Sequence, residues 1–331
     1  VRLSVLDLIP VSAGSTPAEA VRASIDLARH ADALGMHRYW FAEHHNAAGI
    51  ASSAPDVMIA AAAAATKNIR VGSGGVMLPN HSALAVAETF RVLHALHPGR
   101  IDLGIGRAPG TDNKTALALR RSKELLGAEG FPAQLDDLLH LLTEDPDPEV
   151  AFGPLKAIPT GVAPPEIWLL GSGGDGAAIA ARLGLGFAFA HHFSPDDAER
   201  CTRAYRDAFR PSRFRSEPAV IVATAVICGD DAAHAERLAT SGQLAWLRFG
   251  RGVRDLPLPT VEEALAYPYD ADEEELRRAG RNRGICGGPA RVAEGLHALV
   301  EATGASEVMI TTHIHDRDER KRSYERVVTK M

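Results

Sequence analysis

The sequence predicts an α/β fold, a closed (β/α)8 barrel of parallel strands, and three observations carry the prediction. Eight short apolar or β-branched runs recur along the chain, alanine-rich helical stretches separate them, and 331 residues is somewhat above the usual length of such a barrel. Regular alternation implies parallel strands joined by helical crossovers. An open doubly wound sheet satisfies that condition too, but the count of eight and the length favour closure.

Strands are expected near residues 3–8, 38–42, 69–77, 101–105, 166–170, 186–190, 219–227 and 307–312. The first leads into a helix over Pro17–Leu34, with Thr16 as N-cap, Pro17 at the first helical position and Gly35 as the stop. Helices over Pro55–Thr66, Ala83–Leu96, Lys114–Leu126, Asp175–Leu183 and Pro195–Phe209 follow the next five strands; Pro289–Ala302 and Asp316–Val327 follow the last two. The surplus length forms insertions after strands 4 and 7. Gly127–Pro165 is marked by seven prolines from Pro132 to Pro165, and Gly229–Gly288 reads as a lid-like insertion containing Leu256-Pro257-Leu258-Pro259 and the charged Asp270–Arg283. No boundary separates two comparable halves, so residues 1–331 are expected to form one domain.

With 46% hydrophobic and 24% charged residues the chain can bury a large core. A net charge of −6 and a pI near 6.2 give no broad cationic field, so neither nucleic acid nor an anionic membrane is an expected partner. Cys201, Cys228 and Cys286 are odd in number and lack close metal-ligand spacing, which suits reduced thiols. The chain enters its first strand without a signal-like segment, and no apolar run is long enough to span a bilayer. A cytoplasmic location is the expectation.

In a barrel of this kind, chemistry gathers at the carboxyl ends of the strands. The second strand ends in Glu43-His44-His45, three adjacent proton-transfer groups. Consecutive residues of a strand point oppositely, so at most one of the two histidines is expected at the centre. Gly72-Ser73-Gly74-Gly75 lies in or just past the third strand, where glycine marks either close approach of a flat ligand or a bulge or helix contact. Arg107 follows the fourth strand and suits a phosphate oxygen, or equally an ion pair with Asp102 or Asp112. After the fifth strand, Gly171-Ser172-Gly173-Gly174 opens a helix whose free amides suit a monophosphate; the alternative is an ordinary glycine turn. Gly171, Gly173 and Gly176 match a dinucleotide fingerprint, but the next strand ends in His191-His192 instead of an acidic residue. A metal centre from His44, His191 and His313 lacks ligand spacing, so no metal is expected.

Three ordered motifs resemble the bacterial luciferase-like flavin-dependent monooxygenases, as a non-luminescent member: Tyr39-Trp40-Phe41-Ala42-Glu43-His44-His45-Asn46, Arg70 to Pro79, and Pro98 to Arg107. Ile167–Gly173 and Arg291–Leu299 continue the resemblance in less detail. It implies a TIM barrel that binds reduced FMN at its mouth, usually supplied by a separate NAD(P)H-dependent reductase. Oxygen then reacts at the flavin C4a position, and the resulting peroxide oxygenates a small organic substrate. By the same resemblance His44 moves the proton, Gly74-Gly75 carries a non-proline cis peptide beneath the isoalloxazine, and Arg107, Ser172 and Gly173 bind the phosphate. His191 ends the sixth strand where a tryptophan is familiar, and is taken as a further cofactor contact. Gly106 replaces the reactive cysteine of the light-emitting members, so light emission is not implied. F420 is the less favoured cofactor, and a non-catalytic flavin-binding role the less favoured activity. Homodimerisation through helices near strands 2 and 3, where Ile59–Ala65 offers a close-packing face, completes the implications.

Overall fold

The computed structural model describes residues 1–108, 110–120, 129–143 and 155–331. Its sheet is parallel throughout and closes on itself. In chain order the strands are β1 (Arg2–Asp7), β2 (Arg38–Phe41), β3 (Arg70–Ser73), β4 (Val76–Met77), β5 (Ile101–Gly106), β6 (Glu166–Gly171), β7 (Gly186–Ala190), β8 (Val220–Cys228), β9 (Gly284–Gly287) and β10 (Glu307–Thr311). Pairing runs β10-β1-β2-β3-β5-β6-β7-β8, and β8 returns to β10 through Glu307↔Ile221 to Thr311↔Ala225. This closed eight-stranded barrel is the expected TIM barrel.

Two differences from the expected strands matter. The third barrel strand is broken into β3 and β4 at Gly74-Gly75, whose peptide bond is cis. Ser73 bridges the break: its hydroxyl donates to the Gly104 carbonyl at 2.8 Å and accepts from the Gly104 N–H at 3.0 Å, joining β3 to β5. The second difference is β9, a four-residue strand that pairs with Ala225–Cys228 where β10 stops. Its sequence, Gly-Ile-Cys-Gly, has no alternation to announce it.

Period-two alternation sorts side chains between two layers. Leu6, Trp40, Trp168, Ala188, Ile221, Ala223 and Met309 point into the barrel. Their neighbours Val5, Tyr39, Ile167, Phe187, Val220, Val222 and Val308 point outward into the layer shared with the helices. Trp40 and Trp168 meet edge-on at 6.0 Å and plug the barrel interior. Gly72 makes room for them, since a Cβ there would lie 2.8 Å from Trp40 Nε1 and 2.6 Å from Asp102 Cβ.

The helices are α1 (Pro17–Ala33), α2 (Pro55–Ala65), α3 (Ala83–Leu96), α4 (Asn113–Arg120), α5 (Phe131–Thr143), α6 (Gly174–Leu183), α7 (Ala198–Ala208), α8 (Ala232–Gly250), α9 (Val261–Ala266), α10 (Ala271–Ala279), α11 (Pro289–Thr303) and α12 (Arg317–Lys330). Thr16 and Glu19 form a capping box at α1 with Pro17 in its first turn, and Gly35 beyond its end has φ +74°. Of the insertion after the fourth barrel strand, residues 127–128 and 144–154 lie outside the described residues, as do 121–126 of the expected helix Lys114–Leu126. The described part contributes α5, which buries Phe131, Leu135, Leu138 and Leu142. The insertion after the seventh is α8 to α10. From α8 the chain returns across the barrel mouth, where Leu258 N–H donates to Val11 O at 2.8 Å and Ala13 N–H to Leu258 O at 2.9 Å. Among the described residues no helix is long and apolar enough to cross a membrane.

Candidate active site

A cavity of about 640 Å³ opens at the carboxyl ends of the strands, a size suited to a cofactor or a drug-sized ligand. Leu6, Trp40, Leu169, Ala188, Ala223 and Met309 supply apolar lining from the barrel strands. Of the residues singled out in the sequence, His44, Gly74, Arg107, Ser172 and Gly173 line it. Gly75 lies just behind, packed so closely on β5 that a Cβ would sit 2.7 Å from the Gly104 carbonyl oxygen. His191 does not line the cavity; its Nδ1 meets Thr224 Oγ1 at 3.0 Å, and His192 takes the lining position instead.

Strand β2 ends at Phe41, so strict alternation no longer governs residues 44 and 45, and both histidines reach the lining. Backbone bonds fix the segment: His44 N–H donates to Ser52 O at 2.9 Å and Thr111 Oγ1 to His45 O at 2.9 Å. His44 Nδ1 is buried without a hydrogen-bond partner. Burial, with the charges of His45 and Arg254, outweighs the pull of Glu43 and holds the His44 pKa below its usual value. The imidazole is therefore neutral at pH 7.

Glu43 does not orient His44, nor does it pair with an arginine of the barrel wall. Its Oε1 accepts from His45 Nε2 at 2.9 Å and from His81 Nε2 at 2.8 Å, while Oε2 accepts from Met77 N–H at 2.9 Å. Burial raises this carboxyl, but the hydrogen bonds from the two histidines, the charge of His81 and the Met77 amide prevail and bring it to about 2. In turn Glu43 raises the pKa of His81. His81 escaped the sequence reading as a functional partner. The available signal was its place in Pro79-Asn80-His81, just past the strand adjacent to the one that leads to Glu43.

At the opposite side of the mouth, α6 begins at Gly174 with Gly173 as N-cap and no side-chain cap, leaving its first amides unsatisfied by any side chain. A Cβ built on Gly173 meets nothing within 4 Å, so the approach to those amides is open. Arg107 reaches the same turn, 3.3 Å from Asp175 in a largely exposed pair that holds it only weakly. Neither alternative partner applies: Asp102 serves Arg38, Arg70 and Trp40, and Asp112 accepts from Lys114 N–H, Thr115 and Asn46.

His192 has a fixed tautomer. Its Nδ1 lies 3.0 Å from the Ala223 carbonyl, which only accepts, so Nδ1 carries the proton and Nε2 is an acceptor. Burial holds its pKa at about 4. Asp7, at the end of the first strand, is structural: Tyr39, Ser24, Arg320 and the Ile9 amide all donate to its carboxylate. No three His, Cys, Asp or Glu residues among those described are placed to hold a metal ion.

The model of the luciferase-like monooxygenase family matches residues 1–307. The chain belongs to that family. It is 40% identical over 327 residues to the luciferase-like monooxygenase of Escherichia coli K12, covering 98% of this chain and 95% of that one. The solved structure of apo-MsnO8 superposes with a TM-score of 0.91 at 39% identity, covering 100% and 98% of the two chains. The F420-dependent tetrahydromethanopterin reductase of Methanopyrus kandleri superposes at 0.65 with 15% identity over 100% and 98%, a likeness of fold alone. As a luciferase-like monooxygenase, the chain is an oxygen-transferring enzyme by membership. At Gly106 a Cβ would lie 2.8 Å from Met77 Sδ, the movable end of a flexible side chain, so the packing does not by itself require glycine there.

Proposed function

We propose that the chain is an FMN-dependent monooxygenase that uses reduced flavin and O2 to oxygenate a small organic molecule. The observation that carries the reading is the pairing, in one cavity, of an uncapped helix start beside Arg107 with a buried neutral His44 across the mouth. The α6 amides, the Ser172 hydroxyl and Arg107 are the donor set a phosphate monoester needs, and the open space before Gly173 admits it. Gly74 presents bare backbone to the cavity, which suits a flat ring. Bound reduced flavin supplies the electrons with which O2 is divided between substrate and water. His44, neutral at pH 7, takes and returns the proton at its imidazole nitrogen. The apolar lining excludes water from the reacting atoms. His192 Nε2 takes the cofactor-side contact first assigned to His191. A separate NAD(P)H-dependent reductase supplies the flavin, and the enzyme works in the cytoplasm as a homodimer.

Anaerobic titration with reduced FMN and with F420 tests the reading. Reduced FMN is expected to bind and F420 not, and Arg107→Ala to weaken FMN by about 10-fold or more. A chain that binds no reduced flavin overturns it; one that prefers F420 moves it to hydride transfer without oxygen.

A further inference from the structure

The insertion after β8 carries a cation that the proposed cofactor leaves unused. Among the described residues, Arg107 and Arg254 are the arginines that line the cavity. Arg107 faces Asp175, whereas among the described residues no carboxylate lies within ion-pair distance of Arg254. The Arg254 guanidinium instead sits 5.0 Å from the Phe249 ring centroid, and Phe249 also lines the cavity.

Its position is set by backbone contacts. Gly49 N–H donates to Arg254 O at 3.3 Å, and four residues further on Leu258 is bonded to Val11 and Ala13. These contacts hold Arg254 over the loops that follow β1 and β2. In the closed order β1-β2-β3-β5-β6, the strand β6 that delivers Ser172 lies four places round an eight-stranded ring from β1, on the far side of the mouth. Two cationic poles thus face one cavity from opposite sides, and one phosphate fills only the pole at Arg107. Between them the lining is apolar, and the charge of Arg254 is felt at His44.

A guanidinium without a counter-ion, backed by an aromatic face and opening on an apolar cavity, is built to receive a planar anion through two parallel hydrogen bonds. We propose that Arg254 binds the carboxylate of the substrate, which makes the substrate class a small organic acid with an apolar remainder. The carboxylate is held at the rim above β1 and β2, and the apolar part lies along the apolar lining beside His44. The inference rests on the flavin reading of the same cavity.

Octanoate and 4-phenylbutanoate, each beside its neutral carboxamide, are titrated into the FMN-loaded chain and binding is read from the absorption of the bound flavin. Arg254→Gln and Arg254→Lys are measured in parallel. Each acid is expected to bind at least about 10-fold more tightly than its amide; Arg254→Gln removes that preference, Arg254→Lys keeps part of it, and FMN affinity stays unchanged in both. Equal affinity for acid and amide, no binding of either acid, or a preference that survives Arg254→Gln overturns the proposal. Loss of FMN affinity in Arg254→Gln overturns it as well, by giving the residue to the cofactor. If the unsubstituted chain fails to bind FMN, the cofactor reading falls; calorimetry of the same acids and amides with the flavin-free chain then decides Arg254 by the same criterion.

Discussion

Glu43→Gln isolates the buried carboxylate that organises the mouth. Glu43 is fully buried and receives three hydrogen bonds, two on Oε1 and one on Oε2. The isosteric amide cannot satisfy all three donors. With its oxygen toward the histidines, its NH2 faces the Met77 N–H; turned over, its NH2 faces both imidazole Nε2 atoms, and only a histidine that changes tautomer can accept from it. A carboxyl brought from 4.5 to about 2 contributes roughly 3 kcal/mol at neutral pH, and loss of a buried charged acceptor is of similar size. The sign follows from the two titrations. The depressed Glu43 stabilises above pH 4.5 and loses that contribution as pH falls toward 2; the raised His81 stabilises fully below 6.5 and loses it as pH rises through its folded value. The gap between the two proteins is therefore widest from about pH 4.5 to 6.5. At roughly 2.1 cal/mol/K per residue, 331 residues give an unfolding entropy near 0.7 kcal/mol/K, so about 3 kcal/mol is a fall in Tm of some 4 °C. Differential scanning calorimetry across that pH range reads it. A Tm change below about 1 °C, or a gap that grows as pH drops below 4, refutes the network as the source.

His44→Ala should lower turnover by about 10²-fold or more while leaving FMN affinity within about 2-fold, and unchanged turnover removes His44 from the proton transfer. Gly75→Ala places a methyl against the Gly104 backbone, which cannot swing aside as a side chain can; a loss of about 2 kcal/mol, read as a drop in Tm, is expected, and an unaltered Tm contradicts the packing. His192 and His313 are both brought by burial to about 4, so the unfolded chain binds more protons between pH 6.5 and 4, and stability should fall as pH is lowered through that window. After allowance for partial exposure the two together amount to about 3 kcal/mol. Replacing His192 by Asn should flatten the slope, and an unchanged slope in a calorimetric pH series excludes it.

The barrel was legible because burial on both faces writes itself into short apolar runs, and the helices between them carry their own start and stop signals at Thr16, Pro17 and Gly35. Features made by contact between strands were not legible. The resemblance implied the cis peptide at Gly74-Gly75, which the structure has, but the run reads as one strand, and the Ser73 hydroxyl that bonds to Gly104 thirty-one residues away beside the break could not be read from it. His191 and His192 are equivalent in sequence; the choice between them is made by Thr224 and Ala223 on β8, which draw the two rings to different partners. Glu43 and His44 are neighbours in sequence, yet the histidines that Glu43 binds are the one two positions on and one thirty-eight positions away. Arg254 drew no notice for the same reason, since contacts distant in sequence, at Gly49 and through Leu258, bring its loop to the mouth.

Charge is arranged differently at the two ends of this barrel, and the difference separates stability from binding. At the amino ends of the strands, Arg38 meets Asp102 at 2.9 Å, Glu307 at 3.0 Å and Glu166 at 3.1 Å, while Arg70 and Arg215 close the remaining carboxylate positions. Each of these charges has a partner, so removing one leaves a buried ion uncompensated and should cost stability without altering what the mouth recognises. At the carboxyl ends the arginines outnumber the carboxylates in the lining, and the histidines His44 and His192 are held neutral. Removing the charge of Arg107 or Arg254 strands no buried partner and should change binding with little effect on Tm. Trp40 joins the ends: its Nε1 donates to Asp102 at 2.9 Å in the lower network while its ring forms part of the cavity lining. Trp40→Phe is thus the substitution that should move both, lowering Tm through the hydrogen bond lost at Asp102 and altering the cavity lining that Trp40 supplies. A loss of stability with FMN affinity intact would show that the rest of the lining holds the cofactor without Trp40.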